Sequence, residues 1–134
     1  MNNAFKFLKK NDNVLQANYP YTATDAKCDS NAKKQSNSKL TKFEDVREDK
    51  EGYDSLIDAL QLQPIAVAVQ ANQAVFLDYD GGVIDGNLCV GTRLDHGVLL
   101  VGLENDAQLG DVFVVRNSWG SRWGGNGGYL KISA

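Results

Sequence analysis

The apolar pattern of this chain changes period near its middle. Over residues 3–10, Ala4, Phe5 and Leu8 recur at helical spacing with Phe7 beside them, which predicts a short helix that Asn2 or Asn3 is placed to cap. Residues 24–37 are dominated by Lys, Asn, Ser and Asp and read as a surface connection. The charged run from Glu44 to Glu51 mixes both signs and reads as a solvated face. After it, Asp54 followed by Leu56, Ile57 and Leu60 predicts a second short helix, capped by Asp54 and closed by Pro64.

Beyond Pro64 the helical period disappears. Ile65 to Val69 is short and rich in β-branched residues, Gly97 to Leu103 and Val112 to Val115 are apolar runs, and Tyr129 to Ile132 alternates. Runs of that length bounded by glycine and polar clusters predict buried strands of an antiparallel sheet or barrel. The expected class is therefore α+β, with β structure dominating the second part.

Composition narrows the function without naming it. Fourteen basic and seventeen acidic residues leave a net charge of -3 and no basic stripe, which argues against nucleic acid as a partner. An apolar share of 43% over 134 residues suffices for one core. No apolar run approaches the ~20 residues of a membrane helix, and no signal-peptide core follows Met1, so neither a membrane span nor a targeting segment is expected within these residues.

Metal and phosphate sites find little support. Asp78, Asp80 and Asp85 hint at a calcium loop, but Gly82 and Cys89 occupy the positions that should be Asp or Asn and Glu. One histidine and two distant cysteines have no zinc-ligand spacing. Gly124-Gly125-Asn126-Gly127-Gly128 lacks the Gly-Lys-Ser/Thr ending of a phosphate loop. No metal and no cofactor are expected.

The strongest chemical signal is His96, the one histidine of the chain, which opens an apolar run. Asn117-Ser118-Trp119-Gly120 follows, with Trp123-Gly124 just behind. An imidazole that takes a thiol's proton keeps the thiolate populated near neutral pH. An asparagine oxygen accepting from the other ring nitrogen fixes ring plane and tautomer, as the third member of a triad does. Indole rings over that bond exclude water and strengthen it. Each piece alone also fits a core histidine and an ordinary turn.

Taken together, the motifs resemble the papain-like cysteine peptidases nearly end to end. Tyr19-Pro20-Tyr21 with Cys28 resembles one family segment and its half-cystine, Gln63-Pro64 leading into Ile65 to Val69 resembles the first barrel strand, and Phe76 to Gly86 with Cys89 resembles a later segment. Leu94-Asp95-His96-Gly97 and Asn117-Ser118-Trp119-Gly120 resemble the histidine and asparagine signatures. The glycine run fits the turn after the second tryptophan, with one residue more before Tyr129 than the family pattern has.

The resemblance implies a division into residues 1–39, a remnant of the helical half with its polar connection, and 40–134, the barrel half. It implies catalytic roles for His96 and Asn117, with Trp119, Trp123 and Asp95 in support; Asp95 is placed either to act on the imidazole or to make a turn. It also implies a specificity pocket walled by Ala68, Leu94 and Gly97, open and apolar, suited to Leu, Val or Phe side chains unless Ala68 and Leu94 are core. The family's nucleophilic cysteine precedes its histidine by about 130–150 residues, so the nucleophile is expected upstream of Met1. Cys28 and Cys89 are implied to pair with cysteines outside this chain.

The resulting expectation is the histidine- and asparagine-bearing part of a cysteine endopeptidase acting on polypeptides, inactive alone. The alternative is a non-catalytic papain-fold subunit of a larger assembly. Either implies a partner over the barrel face, be it the missing half, a light chain or another protein, because the isolated part would expose the indoles of Trp119 and Trp123. A lysosomal, vacuolar or secreted setting is what the family suggests.

Overall fold

The computed structural model describes residues 1–47, 52–88 and 92–134, which fall into two compact units, Met1–Asp45 and Val46–Ala134. Cys89 and the end of the charged run, residues 48–51, lie outside the described residues.

In the first unit, α1 spans Asn2–Lys10. Its cap is Met1, not Asn2 or Asn3, and Met1 forms no side-chain cap bond. Asn2 is already helical, and its Nδ2 donates to the Asp45 carboxylate at 3.0 Å. The helix presents Phe5 to Phe43, with ring centroids 5.6 Å apart, and the Leu40 amide donates to the Leu8 carbonyl. Lys9 and Lys10 occupy the last turn, where cations suit the helix dipole.

Local hydrogen bonds, not a core, hold the remainder of this unit. The Ser38 hydroxyl accepts from the Asn13 amide and donates to the Gln35 carbonyl, each at 2.6 Å. Val14 and Lys34 form an antiparallel bridge, and Tyr19 Oη accepts the Asp29 amide. Most side chains from residue 15 to residue 37 are exposed, as their polarity dictates.

The second unit carries α2 (Gly52–Leu62), β1 (Ile65–Val69), α3 (Ala74–Leu77), β2 (His96–Asp106), β3 (Gly110–Arg116) and β4 (Tyr129–Ser133). Asp54 lies inside the first turn of α2 and is not its cap; a carboxylate there still favours the helix dipole. The strands form one antiparallel sheet in the order β1-β2-β3-β4. Its registers pair Val69 with His96, Leu99 with Arg116 and Arg116 with Tyr129, so one end of the sheet gathers the exit of β1, the entry of β2, the exit of β3 and the entry of β4. A shift in pairing between Leu100 and Gly102 interrupts the β2–β3 ladder.

Alternation turns Val98, Leu100, Val115 and Leu130 to one side, where they pack with Ala71, Phe76, Tyr79 and Ile84. Leu130 is fully buried. Leu56 and Leu60 of α2 and Val67 of β1 are half-buried against the same cluster. The turn from β2 to β3 is closed by Asp106, whose Oδ1 accepts the amides of Gln108 and Leu109, and by Gly110 at φ 74°. Those two bonds hold the Asp106 carboxyl below its ordinary range. The fold is α+β, and no helix among the described residues is long and apolar enough to cross a membrane.

Candidate active site

Strand order and register bring His96 and Asn117 to the same end of the sheet. His96 is the first residue of β2 and pairs with Val69, while Asn117 follows Arg116 at the end of β3. His96 Nε2 lies 2.8 Å from Asn117 Oδ1.

The tautomer follows from a second bond. The Ser118 backbone amide, which can only donate, stands 2.8 Å from the same Oδ1. That atom must therefore be the oxygen of the carboxamide, and His96 Nε2 must carry the proton it shares with it. In the neutral ring the free lone pair is then on Nδ1. This is the arrangement of a base whose working nitrogen is Nδ1 and whose other nitrogen is pinned.

Asn117 is itself fixed from behind. It is 7% exposed, and its amide donates to the Gly128 carbonyl at 3.0 Å. Its Nδ2 is buried and meets no acceptor among the described residues, so orientation of the carboxamide rests on Oδ1. Gly128 sits at φ 95°, and a Cβ there would come within 2.9 Å of the Gly120 carbonyl. Only glycine fits both conditions.

Aromatic rings enclose the pair. The Trp119 indole lies 5.0 Å from the imidazole and tilted by 32°, and Phe76 meets the imidazole edge-on at 6.0 Å. Trp123 packs behind them, 5.4 Å from Trp119, 5.2 Å from Phe76 and 5.6 Å from Tyr79, and its Nε1 donates to the Leu77 carbonyl. Trp119 is 42% exposed, whereas Trp123 is half-buried, so of the two indoles only the first presents a large open surface.

Asp95 does not turn its carboxylate into a bond with His96. Its Oδ1 accepts the Ala71 amide at 2.7 Å, and its own amide donates to the Val69 carbonyl. Ala68 and Gly97 are register partners across β1 and β2, and both are exposed, as is Leu94 at 65%. None of the three is packed in the core. Cys28 is exposed and free among the described residues. No group of three or more His, Cys, Asp or Glu side chains among them is arranged to hold a metal ion.

Phe76 and Gly128 are the site-building residues to which sequence reading gave no role in the site. Phe76 lies in α3, a four-residue helix too short for a periodic signal, and the family-like segment it opens says nothing of a place beside His96. Gly128 is one glycine of a glycine run, and nothing in sequence marks it from its neighbours.

An imidazole whose Nε2 is pinned by an asparagine oxygen and which lies against an indole keeps Nδ1 free to accept a proton. The family model for "Papain family cysteine protease" matches residues 1–134, and the chain belongs to that family. It is 46% identical to Probable cysteine protease RD21B of Arabidopsis thaliana, covering 99% of this chain and 28% of that protein. It is 43% identical to Cysteine protease 1 of Oryza sativa subsp. japonica, over 98% of this chain and 26% of that one. Among solved structures, bromelain from Ananas comosus in complex with the E64 inhibitor superposes with a TM-score of 0.80 at 36% identity, covering 97% of this chain and 58% of bromelain. The chain thus spans between a quarter and a third of these two relatives' length.

Proposed function

We propose that this chain is the histidine- and asparagine-bearing part of a papain-like cysteine endopeptidase, and that a cysteine in a further part of the parent protein, or in a separate light chain, supplies the nucleophile. The observation that carries the reading is the 2.8 Å bond from His96 to an Asn117 oxygen whose orientation the Ser118 amide dictates. With Nε2 engaged, Nδ1 accepts the thiol proton. The thiolate attacks the scissile carbonyl, and the imidazolium returns that proton to the leaving amine as the acyl-enzyme forms. Water then repeats the cycle to release the acid.

Trp119, Trp123 and Asp95 support the site. The indoles shield the His96–Asn117 bond from water, and Asp95 joins the end of β1 to the start of β2. Ala68, Leu94 and Gly97 receive an apolar side chain of a polypeptide substrate, such as Leu, Val or Phe. Residues 1–39 belong to the helical half of the parent and 40–134 to the barrel half. Cys28 and Cys89 pair with cysteines outside the chain, and the parent works in a lysosomal, vacuolar or secreted setting.

The test is to assay the 134-residue chain and the longer parent side by side on a Leu-Arg amide. Expected is turnover by the parent that a thiol alkylator blocks, none by the chain alone, and a loss of roughly 10²–10⁴-fold in the parent with His96→Ala. A folded parent with native residues throughout that turns over no amide and takes no thiol alkylator at a reactive cysteine would favour the alternative of a structural subunit.

A further inference from the structure

The glycine run after Trp123 contains a dipeptide with chemistry of its own. Asn126 and Gly127 are both exposed, the Asn126 carboxamide forms no hydrogen bond among the described residues, and the Gly127 amide donates to none of them. Gly127 stands at φ 68°, and a Cβ there would meet nothing within 4 Å, so no side chain or neighbour shields its nitrogen. A backbone nitrogen without an adjacent Cβ, beside an unengaged asparagine carboxamide and open to water, is the least hindered setting for attack on that carboxamide.

We propose that Asn126-Gly127 is a site of spontaneous deamidation, and that its isoaspartyl product loosens the anchor of Asn117. Hydroxide removes the Gly127 amide proton and the nitrogen attacks Asn126 Cγ. The N–Cγ bond forms, the Cγ–Nδ2 bond breaks, and the leaving nitrogen takes a proton from water to depart as ammonia. The resulting succinimide is opened by solvent water. Attack at Cγ gives aspartate in a normal chain; attack at the main-chain carbonyl gives isoaspartate, with one extra carbon in the backbone path.

That extra carbon enters just ahead of Gly128, the residue that fixes Asn117. Gly128 has little room to adjust, since it accepts the Asn117 amide at 3.0 Å while packing against the Gly120 carbonyl. Asn126 is also bridged to Tyr129, the first residue of β4, through the Tyr129 amide. A turn held at both ends transmits a change in backbone length to those ends. The modification itself requires nothing of the peptidase reading; only its meaning for catalysis does.

The experiment ages the full chain in mildly alkaline buffer and maps its peptides by mass, with isoaspartyl methyltransferase labelling. Expected is a single mass unit gained at Asn126, sooner than at Asn37-Ser38 or Asn87-Leu88, together with a labelled isoaspartyl fraction. In that fraction the Asn117 amide exchanges with solvent deuterium on the order of tenfold faster, the protection that one hydrogen bond confers. Asn126→Gln, which must close a larger ring, should neither age at this site nor change Asn117 exchange. An unchanged Asn126 peptide while the other asparagines convert, or an isoaspartyl fraction with native Asn117 exchange, would overturn the proposal. Neither result bears on peptidase activity.

Discussion

The Asp95 carboxylate and the Ala71 amide are 2.7 Å apart, and this bond ties the segment leaving β1 to the residue preceding His96. Asp95 also donates its own amide to Val69, so two bonds cross between the strands at the end of the sheet where the imidazole is carried. A carboxylate here ties the residue before His96 to the segment leaving β1. Asp95→Ala should cost roughly 1–2 kcal/mol, the range for a hydrogen bond to a charged acceptor near the surface. Asp95→Asn keeps an oxygen for the Ala71 amide and should recover most of the loss. Urea titrations of both variants measure the difference, and equal losses would mean that the carboxylate's charge, not its acceptor, matters.

Asn117 and His96 make the corresponding test of catalysis. Removing the carboxamide in Asn117→Ala leaves Nε2 without its acceptor and the Ser118 amide unsatisfied, while the Asn117 main-chain bond to Gly128 persists. A hydrogen bond of roughly 1–1.5 kcal/mol lost from the transition state is about tenfold in rate. In the parent protein kcat should therefore fall about tenfold with KM little changed. A rise in KM with unchanged kcat would assign Asn117 to substrate binding.

Much of this arrangement was legible from sequence, for physical reasons that also explain the gaps. Ile65 to Val69 forms a strand with those same ends because Pro64 stops the helix before it and β-branched residues fill it. His96 and Asn117 were paired by their chemistry, and strand register then places them in contact. Cap positions were less readable. Asn2 and Asn3 are good capping residues by type, but Met1 takes the position because the helix begins one residue earlier and Asn2 finds Asp45 instead. Long-range partners such as Asp95 with Ala71 leave no local pattern, and Phe76 sits in a helix of one turn, shorter than any period that could announce it.

Tyr53 and Asp111 define how stability should respond to pH at the far end of the sheet. Tyr53 Oη donates to Asp111 Oδ2 at 2.6 Å, and Asn105 Nδ2 donates to the other carboxylate oxygen. Both bonds hold the Asp111 carboxyl below its ordinary value, the Tyr53 bond most, and the same bond raises the Tyr53 hydroxyl above its own. A depressed carboxyl stabilises the fold above the ordinary value of about 4 and loses that contribution as pH falls through its folded value. A raised tyrosine stabilises below about pH 10 and loses its contribution as pH rises through its folded value. Both groups are solvent-exposed, so the effects are small. Tyr53→Phe should lower the melting temperature slightly near neutrality and flatten both shoulders of a Tm–pH profile; a profile of unchanged shape would contradict the assignment.

Tyr79 couples the core to the indole cluster. Its hydroxyl donates to the Gly82 carbonyl at 2.7 Å and accepts the Lys131 amide at 3.2 Å, while its ring packs on Trp123 and leaves a Cβ at Gly124 only 3.0 Å of room. The side chain itself is 7% exposed. Tyr79→Phe keeps the ring and removes only the oxygen, leaving the carbonyl of exposed Gly82 and the amide of half-buried Lys131 without that partner. The cost should be about 0.5–1.5 kcal/mol, the net worth of an ordinary hydrogen bond. Because the ring remains, tryptophan emission from Trp119 and Trp123 should hold its native maximum until the global transition, which moves to lower denaturant. An emission maximum already shifted to the red in buffer would instead show that the hydroxyl holds the indole cluster in place, and that its loss reaches the rings around His96.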